Sequence, residues 1–197
     1  MVPFICRVSA QDGANSFSKL GQSLVELIEA DGRKGEWVFY HQRFLSSDKQ
    51  WAQYQGSIYA AVQNMKINKC QIEMQTLVVD QFAGIVGKSG IGQQQDKTVY
   101  EISFPLSRPI AETMEVVEAR PSQLRRTTRA VCDERPSCEL TWVRFRSAEH
   151  KISELISTND QVEFNGGTST AVIPVSSPDV GSAAIKQLQL LANLDCQ

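Results

Sequence analysis

The hydrophobic pattern of this 197-residue chain changes period along its length, and that change restricts the fold more than any single motif. Near the N-terminus Phe17, Leu20, Leu24, Leu27 and Ile28 recur three and four residues apart. This spacing predicts an amphipathic helix that Asn15 and Ser16 cap and Asp31-Gly32 ends. Near the C-terminus Ser177-Pro178-Asp179 supplies an N-cap, a proline at the first helical position and an acid in the first turn. Behind it Val180, Ala184, Leu188 and Leu191 share one helical face. Between these ends the pattern is mostly extended. Glu36 to Leu45, Cys70 to Ile85, Thr98 to Phe104, Met114 to Ala119 and Leu140 to Phe145 read as strands. Terminal helices around consecutive strands predict an α+β fold: an antiparallel or mixed sheet with the N- and C-terminal helices packed on one face.

Several segments take their assignment from local signals. Ser47 and Gln50 form a capping box, and Trp51, Tyr54, Ile58, Val62 and Met65 keep helical spacing; this predicts a helix, with a strand over 58–67 as the alternative. Ser147 is expected to cap a short helix using Ile152, Leu155 and Ile156. Val162 to Phe164 and Ala171 to Val175 flank Asn165-Gly166-Gly167, which predicts a hairpin with its turn at Asn-Gly. The polar run from Gly87 to Asp96 is expected to be the loop of a long hairpin. One domain over 1–197 is expected, with a boundary within 105–122 as the alternative.

Composition closes off some classes. Twenty Lys and Arg against twenty-two Asp and Glu give a formal charge of -2, so no global field draws the chain to nucleic acid. Apolar residues make up 42% and charged residues 21%, enough to build a core. No run of eighteen apolar residues predicts a membrane span.

Five cysteines, Cys6, Cys70, Cys132, Cys138 and Cys196, are scattered rather than gathered in close ligand pairs, and His41 and His150 are the only histidines. That spacing argues against a metal site. Cys132 and Cys138 bracket a turn-forming Pro136-Ser137 and suit a local disulfide. A second bridge from Cys70 to Cys196 would fasten the C-terminal helix to the sheet, leaving Cys6 spare. The alternative is a cytoplasmic chain with reduced, buried cysteines. Met1 to Cys6 lacks a basic n-region, so for an exported protein Met1 reads as a start codon on a trimmed mature chain. The chain has no Asn-x-Ser/Thr sequon, which points to a bacterial periplasmic or secreted protein.

Candidate chemistry is sparse. Gly84 to Gly90 imitates a phosphate loop, but Phe82 stands where that loop needs a glycine. Gly87 to Ile91 misses the serine-nucleophile elbow by one glycine. A hydrolase would have to use His41 or His150. Glu73, Asp80, Glu101 and Glu163 lie on or beside strands, and Asp80 draws notice because it follows Leu77-Val-Val79. Arg120, Arg125, Arg126, Arg129 and Arg135 form a basic cluster suited to phosphate or carboxylate, with Arg144 and Arg146 nearby. Glu112, Glu115 and Glu118 stand ready to pair with these arginines internally.

These features lead to a non-enzymatic, disulfide-stabilised, extracytoplasmic protein that binds another protein or a small ligand and uses no cofactor. The alternatives are a hydrolase of unfamiliar type and a polyanion-binding module built on the arginine cluster.

Overall fold

The computed structural model describes residues 10–34, 38–45, 51–86, 89–119, 140–148 and 151–194. They form α1 (Ala10–Lys34), β1 (Val38–Leu45), β2 (Trp51–Asn68), β3 (Gln71–Val86), β4 (Ser89–Pro105), α2 (Arg108–Ala111), β5 (Glu115–Ala119), β6 (Leu140–Arg146), β7 (Ile152–Thr158), β8 (Gln161–Thr168), β9 (Thr170–Val175) and α3 (Pro178–Leu194). Sheet A has six strands in the order β1-β2-β3-β4-β7-β8, and sheet B has three in the order β5-β6-β9. Every pairing is antiparallel, and the class is α+β.

The first helix follows its apolar stripe. Leu24 and Ile28 are fully buried, and Phe17, Leu20 and Leu27 pack around them. Asp31-Gly32 does not end it, because the helix continues to Lys34. Gly32 answers a different need: a Cβ there would stand 2.3 Å from the Val62 carbonyl oxygen, so only glycine lets α1 approach β2 this closely. β1 pairs with β2 only as far as Ile58, and α1 serves the backbone beyond. There Glu29 Oε1 accepts the Met65 N–H at 3.3 Å, and the Tyr59 hydroxyl donates to the Gly32 carbonyl at 2.9 Å.

Residues 51–65 are strand, not the expected helix. The reason is a β-bulge: Val62 pairs with Thr76 but Asn64 with Gln75, leaving Gln63 as the extra residue. Alternation therefore runs Ile58, Ala60, Val62 and then, one place late, Met65 and Ile67. Within that series Ile58, Val62 and Met65 stand four and three residues apart, which counterfeits a helix.

Three other expectations change. The Gly87–Asp96 run is not a long loop, since β4 starts at Ser89 and pairs with β3 back to Val86. Residues 152–158 are a strand rather than a helix capped by Ser147, although the Ser147 hydroxyl does accept the Lys151 N–H at 3.2 Å. Ile152 and Ile156, four apart, satisfy either period. Asn165-Gly166-Gly167 lies inside β8 and makes no turn. The actual turn is Asn159-Asp160, whose φ values of 50° and 65° suit the tight connection of β7 to β8. Asn159 also ties that turn to β4, its side chain accepting the Lys97 N–H at 2.9 Å and donating to Asp96 at 3.0 Å.

β8 passes into β9 through Ser169 and changes sheets there. Thr168 pairs with Ile152 of sheet A, and Thr170 with Arg146 of sheet B. The far end of β9 leads into Ser176, which bonds Asp31 of the helix lying on β2. β9 thus runs from the β8 edge towards β2 and lays sheet B across sheet A, a join typical of crossed sheets. On one face of sheet B, Val143, Phe145, Ala171 and Ile173 meet Ala184, Leu188 and Leu191 of α3 in the main core. Phe104 of sheet A joins them, its ring centroid 4.4 Å from that of Phe145. On the other face Trp142, Val117 and Val172 pack with Ile58, Ala60 and Val78.

Candidate functional site: the Glu154 face of sheet A

The register of sheet A places its core-facing residues in rows across the strands. Ile67, Ile72 and Phe104 make one row; Met65, Met74, Ile102, Glu154 and Gly166 the next; then Val62, Thr76, Tyr100, Ile156 and Phe164. Thr98 and Thr158 follow, their hydroxyls 3.0 Å apart. The helices and sheet B bury the lower rows and the β2 and β3 side. Towards β7 and β8 the same face opens, and there Tyr100 and Ile156 are half-buried.

Glu154 is the one acid in these apolar rows. It stands opposite Ile102 on one side and Gly166 on the other, between Ile152 and Ile156 along its own strand. Its carboxylate makes no hydrogen bond or ion pair with any described residue. Burial without a compensating cation pushes its pKa up from the ordinary carboxylate value. Gly166 opposite it has no side chain, and the Phe164 ring occupies that space: a Cβ on Gly166 would stand 3.3 Å from Phe164 Cζ. One row away the Thr76 hydroxyl is also unpartnered, at 2% residue exposure. A buried polar group without a partner is costly, and native folds keep few of them.

Of the residues singled out from the sequence, those among the described residues do not gather here. Arg120, Arg125, Arg126, Arg129 and Arg135 lie outside the described residues, as do His150, Cys6, Cys132, Cys138 and Cys196. His41 falls on β1 at the position paired with Gln55. Glu73, Glu101 and Glu163 are exposed, and Glu101 accepts a 3.2 Å hydrogen bond from Gln75. Asp80 sits between Ile58 and Asp96 in the ladder. The nearby arginines are engaged internally: Arg144 pairs with Glu115 at 2.7 Å, Arg146 reaches the same carboxylate at 3.6 Å, and Arg108 pairs with Glu112 at 2.8 Å. Gly84 and Ser89, from the phosphate-loop imitation, lie on the paired strands β3 and β4.

Glu154 escaped the sequence reading because residues 152–156 were expected to be helical. Read as a strand, Ile152-x-Glu154-x-Ile156 places a carboxylate on an apolar face, which is the signal that finds it. Among the described residues no three His, Cys, Asp or Glu side chains cluster in a way that could hold a metal ion. No described helix is long and apolar enough to cross a membrane.

The chain matches no family model, curated protein or solved structure.

Proposed function

We propose that the protein is a non-enzymatic, extracytoplasmic binding protein whose binding surface is the open part of the Glu154 face. The observation that carries this is the pairing of an unpartnered, half-buried carboxylate with an unpartnered hydroxyl in adjacent apolar rows. Acid–base catalysis needs a second titratable group or nucleophile within reach of the first. Glu154 has Ile102, Gly166, Ile152 and Ile156 as its sheet neighbours instead, and that setting suits recognition.

The extracytoplasmic setting draws support from Cys70, which is disulfide-bonded. The direction of α3 favours Cys196 as its partner. The helix starts beside Asp31, and by Gln189 it has reached the Ala111 carbonyl of α2. The Cys70 carbonyl accepts the Leu106 N–H at 2.6 Å, so the turn carrying Cys70 lies next to the segment leading into α2.

Backbone and methyl NMR of the full chain, titrated with a small library of charged, polar and apolar fragments, tests the binding surface. Saturable shifts at Tyr100, Ile156 and Phe164 support it; binders that perturb only other surfaces overturn it.

A further inference from the structure

We infer that the Glu154 face takes an organic cation, an alkylammonium group carried on an apolar body. This rests on reading that face as a binding surface and names the chemistry of the ligand. The carboxylate has no hydrogen bond or ion pair among the described residues, and none of its ladder neighbours is basic. An anion would be repelled there. A neutral apolar ligand would strip the remaining water from the carboxylate without replacing it, which is unfavourable. A metal ion would need several ligands, and among the described residues Glu154 belongs to no group of three or more His, Cys, Asp or Glu side chains that could hold one. An ammonium supplies what the position lacks: a positive charge and N–H donors for a half-desolvated carboxylate.

The surroundings narrow the ligand further. The Phe164 ring lies over Gly166, directly across the ladder from Glu154, and is 39% exposed. A cation at the carboxylate is therefore flanked by an aromatic ring open to solvent, an arrangement that favours ammonium groups. Ile156 and Tyr100 continue the row towards the buried, unpartnered hydroxyl of Thr76. An apolar chain on the ammonium would lie along that row, and a polar end group would find Thr76.

The test is titration of the full-length protein with hexylammonium, hexanol and hexanoate, followed by NMR at the methyl of Ile156 and the ring of Phe164. The expected result is saturable binding of hexylammonium at least tenfold tighter than hexanol, with no binding of hexanoate. Glu154→Gln should weaken hexylammonium by about tenfold or more. Phe164→Leu, at an exposed position, should weaken it by about threefold while leaving hexanol unchanged. Equal affinity for hexanol and hexylammonium, or undiminished binding by Glu154→Gln, overturns the cation assignment while leaving the binding surface intact. Failure of all three probes to perturb these residues overturns the cation assignment, and the surface itself then stands or falls on the wider fragment library.

Discussion

The Asp31 carboxylate accepts hydrogen bonds from both the backbone N–H and the hydroxyl of Ser176, 145 residues away in the chain. The N–H contact is 2.8 Å, and Asp31 is a buried residue. This joins the last turns of α1 to the corner where β9 gives way to α3, so one side chain fixes the two terminal helices relative to both sheets. Asp31→Ala removes the acceptor of both hydrogen bonds at a part-buried junction and should cost about 1–3 kcal/mol in urea denaturation. Ser176→Ala keeps the backbone contact and should cost about 1 kcal/mol. Equal losses in the two variants would argue against the double acceptor.

Two glycines of α1 should respond oppositely to alanine. At Gly21 the nearest atom to an added Cβ is Ile67 Cδ1 at 3.8 Å, an ordinary contact. Gly21→Ala should therefore gain about 0.5–1 kcal/mol from helix propensity. At Gly32 the added Cβ would collide with the backbone of Val62, and Gly32→Ala should lose about 3 kcal/mol or more. Thermal unfolding of the pair decides the matter by the sign of each shift.

The bulge in β2 makes a deletion test possible. Removing Gln63 leaves Val62, Asn64 and Met65 opposite Thr76, Gln75 and Met74 without changing any partner. Removing Ala60 forces either a new bulge or a register slip that turns buried side chains outward. The Gln63 deletion should fold, with the smaller loss in denaturant midpoint; if the Ala60 deletion is the more stable, the bulge assignment fails.

Glu154 sets a pH dependence of defined sign. Burial raises its pKa in the folded state, so the folded protein holds its proton to higher pH than the unfolded chain does. Stability from this group is present in full below the unfolded pKa and is lost as pH rises through the folded one. Glu154→Gln should therefore be more stable than the parent at pH 7 by on the order of 0.5 kcal/mol. The advantage should close below about pH 4, where both side chains are neutral. A parent that is the more stable at pH 7 would contradict the unpaired carboxylate.

The proposed staple from Cys70 to Cys196 predicts a cross-linked peptide pair on digestion without reductant. In the chain-entropy model so long a loop contributes about 5 kcal/mol, so Cys196→Ser should lower the melting temperature markedly. Recovery of Cys70 linked to another cysteine would redirect the staple.

Much of the architecture is legible without coordinates, because an amphipathic face announces its own period. Phe17 to Ile28, Ser177 to Leu191 and the strands at 38–45, 71–86 and 140–146 all lie in elements of the kind their spacing predicts. The misreadings cluster where local chemistry and tertiary pairing disagree. Gln63 displaces the alternation of β2 by one residue, and no property of residues 51–65 taken alone reveals it. Asn165-Gly166 is a strong turn signal, yet β7 pairs along the whole of β8, and the turn falls at Asn159-Asp160 instead.

The sequence by itself determined the helices at both ends, the extended middle and hence the α+β class, since these follow from local periodicity; capping misplaced both ends of α1, which runs from Ala10 past Asn15, Ser16 and Gly32 to Lys34. Only the tertiary structure decided that β8 and β9 belong to different sheets, that Gly32 is an approach point rather than a helix stop, and that Asp31 meets Ser176. It also decided that Glu154 stands among apolar ladder neighbours, between Ile102 and Gly166. Each of these depends on which strand lies beside which. Strand register joins residues far apart in the chain, so local pattern carries no record of it.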